Sequence, residues 1–175
     1  MEREGSGRGQ VMSMDTDKLI YRAMTMADIP AIIAIEEEAF TGPWTAEAFT
    51  NELTNNMFAK YLVMEYQGEV FGYGGMWVIM DEAHITNIAV RSDLRGKGLG
   101  HLLLEQLQRT AVFFGAARMT LEVRVSNEIA QHLYRKYGFQ PAGIRPRYYS
   151  DNDEDALIMW AELDTEQLKT GEEWN

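Results

Sequence analysis

The chain has 175 residues, 46% of them hydrophobic and 25% charged: the length of one ordinary domain, too apolar for intrinsic disorder and too evenly mixed for a fibre. Its 16 basic and 27 acidic side chains leave a net charge of -11, a field that repels a phosphate backbone and attracts an amine-bearing partner, so no direct nucleic-acid ligand is expected. The absence of cysteine removes disulfides, thiolate zinc sites and a cysteine nucleophile. No apolar run approaches the roughly 20 residues of a membrane helix and no secretory h-region opens the chain, so the expected setting is cytoplasmic, without a membrane partner.

Residues 1–17 are rich in glycine, serine and charge, with no apolar period. They read as a flexible extension ahead of a domain over 18–163, with an acidic tail at 164–175. Leu19 to Ala23 is a first strand. After Thr25, the residues Ile29, Ile32, Ile33 and Phe40 fall at helical spacing. Gly42-Pro43 ends that helix, and a second starts at the N-cap candidate Thr45 and runs to about Asn55. Three strands follow, Phe58 to Tyr66, Glu69 to Met80 and Ala83 to Val90, joined by connections so short that they imply an antiparallel meander.

The glycine-rich stretch Arg95 to Gly100 then opens a long amphipathic helix carrying Leu99, Leu102, Leu103, Leu107, Ala111 and Phe114. After Gly115, Arg118 to Arg124 alternates Met119, Leu121 and Val123 against Thr120, Glu122 and Arg124, a half-buried strand with Glu122 turned from its apolar face. Ser126 or Asn127 caps a helix that Gly138 ends near Tyr137. Strands from about Phe139 to Ile144 and from Ala156 to Leu163 close the domain. The sum is an α/β (α+β) fold, a mixed, mostly antiparallel sheet of about seven strands flanked by about four helices.

The sharpest chemical signal is Arg95-Gly96-Lys97-Gly98-Leu99-Gly100, between a strand and a helix start. Such a turn exposes backbone N–H groups at the positive end of a helix dipole, lets a ligand approach closely and suits a pyrophosphate; the alternative is a solvated loop whose glycines only relieve turn strain. It is not a P-loop, because Gly98 follows Lys97 where that motif needs Ser or Thr, and it lacks the Gly-x-Gly-x-x-Gly spacing of a dinucleotide site.

Arg95-x-x-Gly98-x-Gly100 after Asn87-Ile88-Ala89-Val90 resembles the acetyl-CoA site of the GNAT N-acetyltransferases. Leu121-Glu122-Val123-Arg124-Val125-Ser126-Asn127, Leu133-Tyr134-x-x-Tyr137-Gly138-Phe139, Arg145-Pro146-Arg147-Tyr148-Tyr149, Glu154-Asp155-Ala156 and Pro43-Trp44 together resemble the RimI-type ribosomal-protein alanine N-acetyltransferases, over about residues 19 to 163. The resemblance implies a GNAT fold with acetyl-CoA as co-substrate and no metal. It implies transfer to the N-terminal α-amine of a protein partner, a small-subunit ribosomal protein beginning in alanine; nothing in the sequence sets an oligomeric state. By the same resemblance Ile88, Ala89 and Val90 offer backbone groups to the pantetheine arm and thioester. Arg95, Gly96, Lys97, Gly98, Leu99, Gly100 and His101 hold the pyrophosphate, Asn127 contacts the cofactor, Glu122 is the general base and Tyr134 the general acid.

These residue types suit the chemistry. An amine attacks a thioester only when neutral, so a carboxylate, acting directly or through water, accepts a proton and a phenol returns one to the departing thiolate. An α-amine, with an ordinary pKa of about 7.7 to 8.0 against about 10.4 for lysine, needs less deprotonation near neutrality. Other readings stand beside these: Glu122 as a solvated strand carboxylate, Tyr134 as a packing residue, and His84 as structural for want of a partner histidine. Trp44, Tyr148 and Tyr149 are either walls of a peptide cleft or core aromatics. Glu36, Glu37, Glu38, Asp151, Asp153, Glu154 and Asp155 either draw in a basic N-terminus or are solvated surface. Two positions depart from the family pattern: Ser92, where members often carry proline, and Pro146, which interrupts a basic pair. The rival functions are the same chemistry on a lysine, polyamine or small molecule, and a non-catalytic acetyl-CoA-binding module.

Overall fold

The computed structural model describes residues 14–168. Its elements are β1 (Ile20–Ala23), α1 (Ile29–Ala39), α2 (Ala46–Asn55), β2 (Ala59–Tyr66), β3 (Glu69–Ile79), β4 (Glu82–Val90), α3 (Leu99–Phe113), β5 (Arg118–Arg124), α4 (Glu128–Lys136), β6 (Gln140–Tyr149), β7 (Glu154–Glu162) and one helical turn, α5 (Thr165–Leu168). The seven strands form one sheet in the order β1-β2-β3-β4-β5-β7-β6. All neighbours are antiparallel except β4 and β5.

Alternation along each strand divides its side chains between two cores. Leu62 and Met64 of β2 join Leu103, Leu104 and Leu107 of α3 on one face. Tyr61 and Val63 join Ile32 and Ile35 of α1 and Phe49 of α2 on the other. Helix α3 lies close to the sheet because β3 is glycine-rich where they meet: a Cβ on Gly74 would stand 2.7 Å from Leu107 Cδ1, and one on Gly75, facing the opposite way, would overlap the buried Tyr61 ring. Gly75→Val is therefore expected to cost about 1–3 kcal/mol by overpacking, read by calorimetry as a Tm lower by several degrees. An unchanged Tm would mean the Tyr61 ring has room to move.

A β-bulge lets β4 serve both cores. Its register to β3 pairs Asn87 with Gly75 but Ile85 with Met76, leaving Thr86 as the extra residue, so the inward parity of β4 flips there. Ala83 and Ile85 enter the first core and Ala89 the second. The pairing of β4 with β5 covers only Glu82↔Arg118, Ala83↔Met119 and His84↔Thr120. Beyond it β4 runs on to Val90, while β5 pairs with β7 as far as Arg124↔Ala156. The two central strands thus diverge into a wedge, and the β5-facing edge of β4 past that pairing has no strand partner among the described residues.

The expected elements are all present, with shifts at their ends. Strand β6 is longer than expected, reaching Tyr149 rather than Ile144, through an irregularity between Arg145 and Tyr149. Ordered structure reaches further out at both termini than the sequence boundaries. Met14 packs against the first core and Thr16–Lys18 forms a 3-10 turn; after Asp164 the turn α5 packs Leu168 against the same core. The rest of the extension and of the tail lies outside the described residues.

Candidate active site

The wedge opens onto the glycine loop. Gly96 and Gly98 adopt φ of +76° and +80°, the left-handed region that a side chain disfavours, and Gly98 is the N-cap of α3, with no side chain capping the first turn. The backbone N–H groups at the start of α3 thus remain available to an anion, with the helix dipole behind them. Arg95 and Lys97 are exposed beside them, and Arg95 Nε also donates to the Val90 carbonyl at 3.3 Å. Leu99 turns its side chain into the core, so it can offer a ligand only its backbone; Gly100 faces Leu133 of α4, and the His101 ring lies 5.7 Å from that of Tyr137. At Ser92, one of the two departures from the family pattern, the N–H donates to Glu38 Oε2 at 3.2 Å, a bond proline cannot make.

Of the three residues at the end of β4, Ile88 and Val90 pack toward the first core and Ala89 toward the second. Across the wedge, on β5, stands Glu122. Its side chain is only 8% exposed; Oε2 meets His84 Nε2 at 2.6 Å and Oε1 meets Arg145 Nε at 3.3 Å. Burial alone would raise its pKa, but the hydrogen bond and charge of His84, with the charge of Arg145, outweigh burial and hold the carboxyl below its usual range. Glu122 is thus a buried carboxylate held ionised between two basic side chains rather than a solvated one. The His84 side chain is 34% exposed and its ring stands edge-on to Trp77, so it links the buried carboxylate to solvent.

Tyr134 of α4 is 8% exposed and packs on Phe139 with ring centroids 5.7 Å apart. Burial pushes its hydroxyl up to about 12, so the phenol keeps its proton throughout the neutral range. Asn127 caps α4, accepting the Ala130 N–H at 3.1 Å, and stays exposed.

Beside Glu122 lie β6 and the β6–β7 turn, which Asp151 ties to the segment between α1 and α2 through Thr41. In β6, Arg145 pairs with Ala156 and Tyr149 with Glu154, so Pro146, Arg147 and Tyr148 bulge opposite Asp155. The Asp155 carboxylate accepts the Arg147 N–H at 2.9 Å, and Arg147 takes a φ of +51°. The bulge keeps Tyr148 and Tyr149 near Glu122: burial and then the Glu122 charge raise the Tyr148 phenol, while burial and then Tyr148, with a smaller share from Glu122, raise that of Tyr149 to about 12. Arg124 stacks over the Tyr149 ring at 4.0 Å and grips Asp151 and Glu154, and Asp151 accepts the Thr41 hydroxyl at 2.7 Å. Trp44 packs on Phe49 in the second core.

The acidic residues do not form one peptide-attracting cluster. Glu36 is 1% exposed and accepts the Trp44 N–H at 3.1 Å; Asp151, Glu154 and Asp155 have the structural partners just named. Among the described residues no group of three or more His, Asp or Glu side chains is placed to hold a metal ion.

A family model described as the acetyltransferase (GNAT) family matches residues 29–139. The chain belongs to the GNAT acetyltransferase family. A Bacillus subtilis protein provisionally named a ribosomal protein bS18-alanine N-acetyltransferase is 48% identical over 146 residues, which cover 83% of this chain and 97% of that one. The ribosomal protein bS18-alanine N-acetyltransferase of Escherichia coli K12 is 38% identical over 141 residues, 78% of this chain and 93% of that enzyme. The crystal structure of the Escherichia coli ribosomal-protein-S18-alanine N-acetyltransferase superimposes with a TM-score of 0.76 at 33% identity, covering 90% of this chain and 99% of that one. Ard1 from Thermoplasma volcanium does so at 0.75 and 26%, covering 83% of this chain and 98% of that one.

The GNAT expectation for the fold is met strand for strand, and GNAT acetyltransferases take their acetyl group from acetyl-CoA. Two residues that contact Glu122, His84 and Arg145, carry little signal in the sequence. His84 was read as structural for lack of a second histidine, and its partner is a carboxylate instead. Arg145 figured only as part of a motif. The usable signal for His84 was its parity: it stands across from Thr120, and Glu122 is the next residue of β5 on that same face.

Proposed function

We propose that the protein moves the acetyl group of acetyl-CoA to the N-terminal α-amine of a protein that begins with alanine, a small-subunit ribosomal protein, by direct transfer in a ternary complex. The observation that carries this reading is the buried, ionised Glu122 at the wedge between β4 and β5, with the phenol of Tyr134 on the neighbouring helix. The names of the Bacillus and Escherichia relatives support the acceptor.

The residues fit acetyl-CoA. Two glycines of positive φ, an uncapped helix start and two basic side chains suit a pyrophosphate, and the partnerless edge of β4 at Ile88, Ala89 and Val90 suits the amide-bearing pantetheine arm. Asn127, exposed at the start of α4, is the further cofactor contact that the family resemblance suggests. Acetyl-CoA supplies an acetyl group already activated as a thioester. The protein then moves protons: as the amine nitrogen bonds to the carbonyl carbon and the C–S bond breaks, Glu122 takes a proton from the amine and Tyr134 gives one to the sulfur. A backbone N–H near Val90 steadies the charge that builds on the carbonyl oxygen. The proton received by Glu122 is then given up to water, and Tyr134 regains one from solvent, so both groups return to their starting states. Tyr148 and Tyr149 line the approach of the peptide, with Trp44 behind the α1–α2 segment.

Two matched basic peptides test the acceptor, one with a free N-terminal alanine and one blocked at its terminus but carrying lysines. Mass spectrometry after incubation with acetyl-CoA is expected to find acetyl only on the free alanine. Modification of the blocked peptide would replace this reading by lysine transfer, and modification of neither, with acetyl-CoA bound, would favour a small-molecule acceptor or a non-catalytic module.

A further inference from the structure

Glu122 does not face the acceptor alone. The charged and titratable groups set against it are His84 from β4 and Arg145, Tyr148 and Tyr149 from β6. Both phenols are raised above their ordinary value and are neutral near pH 7, which leaves His84, Glu122 and Arg145 to set the local field. The guanidinium is 55% exposed yet sits 3.3 Å from the base, on the side of the carboxylate away from His84.

We propose that Arg145 is the charge-balancing residue of the acceptor site: by sharing the Glu122 carboxylate, it stops the site from trapping the incoming terminus as an ammonium ion and lets the neutral, reactive amine stand there instead. The inference rests on Glu122 being the base. A lone buried carboxylate binds an ammonium ion tightly and holds on to its proton, which is the wrong ground state for attack on a thioester. An ammonium ion that enters beside Glu122 gains from the carboxylate and loses to the guanidinium a few ångströms away, whereas a neutral amine is little affected by either. The deprotonated form is thus favoured relative to a site without Arg145. Because Arg145 is partly in water its charge is screened, so the effect is moderate, about one pH unit. It is still useful, since it offsets the rise that the Glu122 carboxylate imposes on a bound ammonium ion and brings the amine back toward its ordinary value of about 7.7 to 8.0, close to neutral pH.

The test compares pH profiles of kcat from about pH 6 to 9.5 for the wild type, Arg145→Gln and Arg145→Lys, with saturating acetyl-CoA and a peptide bearing a free N-terminal alanine. The acid limb of kcat reports the group that must lose its proton in the bound complex. Arg145→Gln is expected to move that limb up by about one pH unit and lower kcat at pH 7 several-fold, with the peptide KM equal to or below that of wild type; Arg145→Lys restores the limb. A limb that stays in place in Arg145→Gln overturns the inference, and a higher KM with kcat intact does so by giving Arg145 a plain peptide contact. Glu122→Gln is run alongside. Wild-type kcat in that variant would remove the base itself, whereas a collapsed kcat there with an unmoved limb in Arg145→Gln would sink the Arg145 inference alone.

Discussion

Glu122→Gln is expected to lower turnover about 10²- to 10⁴-fold, the usual contribution of a positioned general base, with acetyl-CoA affinity near that of wild type. The amide keeps the shape of the carboxyl and can still meet His84, but it cannot accept a proton. The remaining rate then depends on amine that arrives already neutral, and the proton released on attack must go to water instead. Because His84 and Arg145 hold the wild-type carboxyl below its ordinary range, Glu122 stays ionised through mild acid. The acid limb of the wild-type profile is therefore that of the amine, not of Glu122. Stopped-time assays across pH, with acetyl-CoA binding measured by calorimetry, check both parts, and an unaltered kcat would take Glu122 out of the mechanism.

Gly98→Val should raise the Kd for acetyl-CoA about five- to a hundredfold. Gly98 holds φ +80° at the first cap of α3, and a β-branched residue there costs about 1–3 kcal/mol of backbone strain, against about 1.4 kcal/mol for each tenfold in affinity. A Cβ at Gly98 would meet nothing within 4 Å in the protein itself, so the chain can fold around the substitution. The penalty falls on the loop's conformation and on the space in front of its N–H groups. Equilibrium titration with acetyl-CoA reads the effect. A variant that melts like the wild type and binds acetyl-CoA unchanged would move the pyrophosphate seat away from this loop.

Much of this protein was legible one segment at a time. Periodicity placed α1 and α3, because an amphipathic helix writes its buried face into a window of ten or so residues; cap and stop residues placed α2 and α4, and short connections the meander of β2 to β4. Thr45 and Asn127 were recognisable as caps, and each does accept the N–H three residues on. The glycine loop was legible because positive φ selects glycine locally. The far end of β6 was not: Pro146 and the two tyrosines read as the end of a strand, while the bulge that continues it depends on Asp155 of the next strand capturing the Arg147 N–H. The surroundings of the acidic residues were not legible for the same reason. Glu36 and Asp151 carry charge in the sequence, but their partners, Trp44, Arg124 and Thr41, come from elsewhere in the chain.

The amino-acid sequence by itself determined the order and kind of the elements, the strand-loop-helix that can seat a pyrophosphate, and the carboxylate and phenol suited to moving protons. Only the tertiary structure decided what surrounds that carboxylate. His84 and Arg145 reach Glu122 through the short parallel register of β4 on β5, the antiparallel pairing of β5 with β7 and the pairing of β7 with β6. The registers of strands so distant in the chain are set by the packing of two cores against one sheet rather than by any local pattern. A residue's periodicity tells which face it occupies; which charges share that face, and hence whether the carboxylate is held ionised or merely solvated, depends on contacts that exist only once the sheet is assembled.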